Sequence, residues 1–178
     1  MNSFQYFQIK QDKKLSNPIQ IFHFAVEGDY TEGKPIDSAI IPKQQVAYFE
    51  YSPQVEMCDV LFQPTLLIEN SIKKLWRLYE PQMKFKGVQV FANDPKINIA
   101  PMYWCPVVPP VACMNEATEL YPDKTLKHLA IQFRAVQGRH IFQVAGLSEP
   151  VVVVSLPVAE SMLKRSAIGF ELQAVELV

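Results

Sequence analysis

Between residues 128 and 136 apolar and polar side chains take turns. Leu129, Ile131, Phe133 and Ala135 fall on one parity, and His128, Gln132 and Arg134 on the other. A period of two marks a half-buried strand. Gln137-Gly138-Arg139 predicts a turn, and residues 140–145 predict the returning arm of a hairpin. After a second turn over 146–150, Val151 to Val154 are apolar on both parities, which predicts a strand covered on both faces. Ser155 is placed to cap a helix with Pro157 in its first turn, where a missing N–H is harmless. Val158, Ala159, Met162 and Leu163 form one apolar stripe, while Glu160, Lys164 and Arg165 suit the helix dipole. Gly169 predicts a left-handed stop. Residues 170–178 predict a closing strand. Its apolar parity slips from Phe170 and Leu172 to Val175 and Leu177, which predicts either a bulge near Gln173 or Ala174 or burial on both sides.

Upstream, the pattern predicts strands over residues 4–10, 19–26, 45–51 and 87–92, with a short apolar piece at 57–62. Pro64 opens the main helix, over 64–80. Ile68, Ile72, Leu75, Trp76 and Tyr79 recur along one face, and Glu80-Pro81 ends it. Residues 101–125 read as a long irregular connection with five prolines, in which 113–120 form one or two helical turns. No internal repeat is visible. The expected fold is a single α+β domain over 1–178: a mixed, mostly antiparallel β-sheet packed against one long and one short amphipathic helix. It divides into a β-rich portion 1–62, the helix 64–80 and a strand-strand-strand-helix-strand unit 127–178.

The 178 residues carry 17 Lys and Arg against 18 Asp and Glu, a formal net charge of −1. That balance gives no global electrostatic reason to expect nucleic acid or an anionic membrane as partner. Three cysteines without regular spacing argue against a disulfide framework. With no apolar stretch long enough to span a bilayer and no signal segment, the expectation is a cytoplasmic protein with reduced thiols.

The chemistry-bearing residues are dispersed. His128 and His140 would face each other across the hairpin, with His23 far off in sequence, and they read as ordinary strand-edge residues. No metal or cofactor is expected. Cys58, Cys105 and Cys113 lack a nucleophile motif, and no glycine-rich phosphate cradle occurs. Asp37, Asp59, Asp94 and Asp123 sit in turns, where Asp bonds local backbone. Glu116 and Glu119, and the basic set Lys73, Lys74 and Arg77, read as solvated helix faces. The remaining candidate is a recognition surface made from Tyr103, Trp104, Tyr121 and Asp123, since Tyr and Trp are enriched at protein–protein hot spots.

Certain motifs also resemble a known family. They are the helix ending in Tyr79-Glu80-Pro81, then Tyr103-Trp104, Cys113-Met114-Asn115, the run from Leu129 to Phe133, and His140-Ile141-Phe142. They continue through Val152 to Ser155, Ala159 to Arg165 and Ile168-Gly169-Phe170. From Pro64 onward the chain resembles a bacterial family of proteins of unknown function, part of which is assigned as immunity proteins of polymorphic toxin systems. The resemblance implies a non-enzymatic binding protein that neutralises a cognate toxin by direct contact. The alternatives are a small enzyme or ligand binder with a site of dispersed residues, and a structural or phage-related assembly subunit.

Overall fold

The computed structural model describes residues 5–178. Strand β1 spans Tyr6–Gln11, β2 Ile21–Phe22, β3 Gln44–Phe49, β4 Val60–Leu61 and β5 Leu67–Glu69, and helix α1 follows at Asn70–Tyr79. Then come β6 Lys84–Ala92, β7 Met102–Val107, β8 Pro110–Val111, β9 Glu119–Leu120, β10 Leu126–His128 and β11 Ala130–Ile131. The last third holds α2 Phe133–Val136, β12 Ile141–Val144, β13 Val152–Ser155, α3 Leu156–Lys164, β14 Phe170–Ala174 and β15 Glu176–Leu177. Phe4, expected at the head of the first strand, lies outside the described residues.

Two sheets dominate. One has six strands in the order β2-β3-β6-β7-β5-β4, the other five in the order β14-β1-β13-β12-β8. Most neighbours are antiparallel; β3–β6, β8–β12 and β11–β15 are parallel. The fold is thus α+β with mixed, mostly antiparallel sheets. The helices differ from one long and one short. Helix α1 has 10 residues, α3 has 9, and α2 is a single turn of 4.

The two sheets share a topology that the residues conceal. In the first, β4 pairs with β5, α1 follows, and the chain returns as β6, which runs parallel to β5 with antiparallel β7 between them. In the second, β12 pairs with β13, α3 follows, and the chain returns as β14, with antiparallel β1 inserted. Equivalent positions keep a constant offset: Ile68 and Val154 are the last residues but one of their strands, Glu69 and Ser155 end the strands and take the N-cap positions, and Trp76 and Met162 are fully buried. Strand β1 comes from the opposite end of the chain, and the side chains match only in polarity, which is why the repeat is not legible in the sequence.

Helix α1 lies on β5 and β7, α3 on β13 and β1, and the helices lie on each other. Ile72, Leu75 and Trp76 meet Val158, Ala159 and Met162 there, together with Ile68, Val154 and Ile9 from the strands. Behind the six-stranded sheet, Phe49, Val88, Val90 and Tyr103 pack under Ile19, Ile36 and Ile41 of the long connections. Behind the five-stranded sheet, Phe142, Val144 and Val153 pack under Leu129, Ile131 and Val136.

Several local expectations change. Helix α1 starts six residues past Pro64, because Leu67 and Ile68 are held as strand between β4 and β7, and the Glu69 carboxylate accepts the Ser71 N–H as a cap. Ile68 sits four residues before Ile72, so helical spacing alone could not exclude it. The hairpin over 128–145 does not form. Strand β10 pairs with β9, β11 pairs with β15, and residues 133–136 wind into α2. Leu129 and Ile131 are buried as the alternation expects, but Ala130 between them and Val136 are buried too, so the period of two does not hold, and the partners come from the C-terminal strand and the outer core. Only Ile21–Phe22 of residues 19–26 is strand, because His23 turns at φ 58°. Residues 101–125, expected to be irregular, hold β7, β8 and β9, and a turn at Asn115 replaces the helical turns expected over 113–120. Leu163 points out of α3, 57% exposed. Ser166, not Gly169, takes the left-handed step after the helix. The break between β14 and β15 falls at Val175, one residue beyond its expected place.

Candidate functional site

The four residues proposed from sequence do not come together. Tyr103 and Trp104 are adjacent on β7, so they point to opposite faces of the sheet. Tyr103 is buried, and its hydroxyl donates to the Cys58 carbonyl at 2.7 Å. Burial pushes that hydroxyl's pKa upward. Trp104 lies on the helix side and donates from Nε1 to Asn70 Oδ1 at 3.2 Å. Tyr121 and Asp123 stand on the exposed turn between β9 and β10, where Asp123 accepts from the Thr125 backbone and hydroxyl, which lowers its carboxyl pKa. Asp37 and Asp94 bond local backbone in the same way, while Asp59 reaches the distant Ile168 N–H.

The expected pairing of His128 with His140 is also absent. His128 lies 2.6 Å from Glu176. His140 Nδ1 is 2.9 Å from the hydroxyl of Ser155, which ends β13 and stands at the N-cap position of α3 without the side-chain cap bond expected of it. A serine at a strand-to-helix junction beside an imidazole is half of a nucleophile pair. No carboxylate orients this ring: Glu80 accepts instead from the backbone N–H groups of His140 and Ile141. Ser155 is 6% exposed, and Tyr79 packs on the ring at 5.2 Å. The Tyr79 hydroxyl meets Ser161 Oγ at 2.8 Å and donates to the Pro157 carbonyl at 3.1 Å. This arrangement is a joint locking α1, β12, β13 and α3. Among the described residues no three His, Cys, Asp or Glu side chains gather as a metal site, and no helix is long and apolar enough to cross a membrane.

An exposed apolar surface lies elsewhere, on the helix side of the six-stranded sheet. Strands β3 and β2 continue the sheet beyond β6, past the reach of α1. Tyr48 is the register partner of Phe91 on one side and of Phe22 on the other, which puts all three on one face. Phe22 and Tyr48 stack at 6.3 Å, with His23 edge-on to both. Val46, Tyr48 and Phe91 are 48%, 39% and 40% exposed, a large apolar presence for an open sheet face.

At the opposite end of β6 the same face enters a groove of about 640 Å³. Lys43, Lys73, Arg77, Lys84 and Lys86 line it over a floor of Met83, Phe85 and Val107, with no carboxylate. The parallel pairing of Gln44 with Gly87 sets Lys43 beside Lys86. Lys73 Nζ sits over the rings of Trp104 at 2.9 Å and Phe85 at 5.7 Å. Its pKa is lowered by burial and then by nearby Arg77. Lys86 is committed to the Ser38 and Ile41 carbonyls, at 2.6 and 2.5 Å. Gly87 makes room for this wall: a Cβ there would lie 2.9 Å from Met102 Cε and 3.4 Å from the Trp104 ring.

Sequence reasoning missed this groove because its cations come from three separated stretches. Lys73 and Arg77 look like an ordinary solvent face until β3 is laid parallel to β6. The available hint was Lys84-Phe85-Lys86, an aromatic between two lysines in a strand. No protein-family model matches the chain, and no curated protein matches it.

Proposed function

We propose that this chain is a binding protein that neutralises a cognate bacterial toxin by direct protein–protein contact, and that the part of the six-stranded sheet's helix side left uncovered by α1 is the contact surface. The observation that carries this reading is the cluster of exposed Val46, Tyr48 and Phe91 with half-buried Phe22 on adjacent strands. Rigid aromatic side chains on a sheet lose little conformational freedom on binding, and aromatic anchors dominate interface energetics. The toxin identity of the partner comes from the family resemblance of the residues after Pro64.

The test is co-expression of the chain with the toxin-like product of a neighbouring gene. The wild-type chain is expected to bind that product and restore growth. The double variant Tyr48→Glu/Phe91→Glu is expected to bind roughly thirtyfold more weakly, the scale of a lost hot spot. A wild-type chain that neither binds nor protects defeats the toxin reading. Undiminished binding by the variant moves the contact to another face.

A further inference from the structure

We propose that the basic groove between α1 and the start of β6 receives an acidic stretch of the protein partner, with an apolar side chain at its centre flanked by carboxylates. This rests on the binding-protein reading and adds the chemistry of what is bound. The chain as a whole is close to neutral, yet five of its 17 Lys and Arg residues line this one groove and no acid does. A ring of like charges around a concave floor focuses the field and draws anionic groups.

The cations have distinct tasks. The Lys86 ammonium is held by the Ser38 and Ile41 carbonyls behind the sheet, so the charges that can face a ligand are those of Lys43, Lys73, Arg77 and Lys84. Lys43, Arg77 and Lys84 are exposed at the rim. Arg77 presents a planar fork that takes a carboxylate through two hydrogen bonds. An arriving carboxylate would also relieve the repulsion between Arg77 and Lys73. The floor of Met83, Phe85 and Val107 is suited to one apolar side chain.

The same floor disfavours single-stranded nucleic acid. Binding of that kind needs open ring faces on which bases stack. Here the ammonium of Lys73 lies on the Trp104 ring and above Phe85.

Tryptophan fluorescence of the full chain tests the proposal, because the Trp104 ring lies directly beneath the groove's Lys73, at 2.9 Å, while Trp76 is fully buried. The probes are two synthetic peptides of equal length with the same central leucine. One carries Glu and Asp on both sides, the other Gln and Asn. Oligothymidylate and inorganic phosphate are run in parallel. The acidic peptide is expected to shift the emission, and Trp104→Phe is expected to abolish that shift. High salt, or the exposed-site double variant Arg77→Glu/Lys84→Glu, is expected to weaken binding about tenfold. Lys43→Glu, which lies off the helix, should act in the same direction. Equal binding of the two peptides, no binding of the acidic one, tighter binding of oligothymidylate or phosphate, or indifference to the charge variants would each overturn the proposal. The two readings fail separately. A partner protein held equally by the wild type and by Arg77→Glu/Lys84→Glu removes the groove and leaves the sheet face. Acidic-peptide binding without a neighbouring-gene partner removes the toxin and leaves the groove.

Discussion

The two strand–helix–strand units solve the same packing problem, and they part company only where strands have been added. In both, a helix crosses from one strand to a parallel strand two places away, and an antiparallel strand fills the gap. In the second unit the sheet stops at the returning strand β14, and α3 and its neighbours cover the inner face. In the first unit the sheet runs on past the returning strand β6 into β3 and β2, beyond the width of one helix. A 10-residue helix is roughly 15 Å long and covers two or three strands spaced about 4.8 Å apart. The surplus strands therefore show one face to solvent. That uncovered face carries Tyr48 and Phe91, and the gap between it and α1 is the basic groove.

The comparison breaks first at its two central side chains. Trp76 and Met162 occupy equivalent places, and both are fully buried where the helices meet. Trp76→Ala is expected to destabilise the protein by about 3–5 kcal/mol, and Met162→Ala by about 2–5 kcal/mol. Denaturant midpoints measure both. Among the described residues Trp76 Nε1 is a buried donor without a partner, so Trp76→Phe should cost distinctly less than Trp76→Ala, because it removes that orphan and keeps most of the volume. A near-unchanged midpoint for Trp76→Ala would mean the helices do not share a core.

The returning strands offer a sharper contrast. Gly169 precedes β14 at φ 105°, and a Cβ there would sit 2.3 Å from the Val60 carbonyl and 2.8 Å from Cys58 Cβ. A Cβ on Gly87 within β6 would crowd the flexible end of Met102, at 2.9 Å, and otherwise make ordinary contacts with Trp104 and Gln44. Gly169→Ala should therefore cost about 3 kcal/mol or more, combining backbone strain with the clash, and Gly87→Ala about 1 kcal/mol or less. Equal losses in paired thermal melts would show that the close approach of the two units at Val60 is not rigid.

What could be read from the residues followed the range of the signal. Val151 to Val154, Ser155 and the stripe of Val158, Ala159 and Met162 were legible because each rests on neighbours a few positions away. Ile68 was misassigned because one residue satisfies both a helical spacing and a buried strand, and only pairing with β7 decides between them. Leu129 and Ile131 showed their burial but not their partners, since Val175 and Leu177 lie more than forty residues on. The candidate site was the least legible part. Tyr103 and Trp104 drew attention as an aromatic pair, yet strand geometry buries one and leaves the other beneath Lys73. Lys43 joins the groove only through the parallel register of β3 with β6, which no local pattern encodes.

The outer layers behind the sheets can be compared through their thiols. Burial raises Cys58 and Cys113 from the model-peptide value of 9.0 to about 11, and Cys105 to about 12. In the unfolded chain these groups ionise near 9, whereas in the folded chain they hold their protons. Between pH 9 and about 12 the unfolded state binds fewer protons, so the thiols' contribution to stability falls as pH rises, and it is fully present below 9. Alkylation of the native protein should reach Cys58 and Cys113 at lower pH than Cys105. Reaction at all three near pH 9 would show that one or both outer layers open to solvent.

The smallest expected effect lies at the joint between the units. Tyr79 ends α1, and its hydroxyl reaches Ser161 Oγ and the Pro157 carbonyl on α3. Tyr79→Phe removes both bonds and should cost about 1 kcal/mol, the net worth of a hydrogen bond at a half-buried site. Ser161→Ala removes one of them and should cost somewhat less. Because the two hydroxyls share a bond, the double variant should lose less than the two single losses added together, with the shortfall measuring their coupling. Strict additivity would mean that the helices are held together by Trp76, Met162 and their neighbours alone. The polar joint would then set the angle between the units without strengthening it.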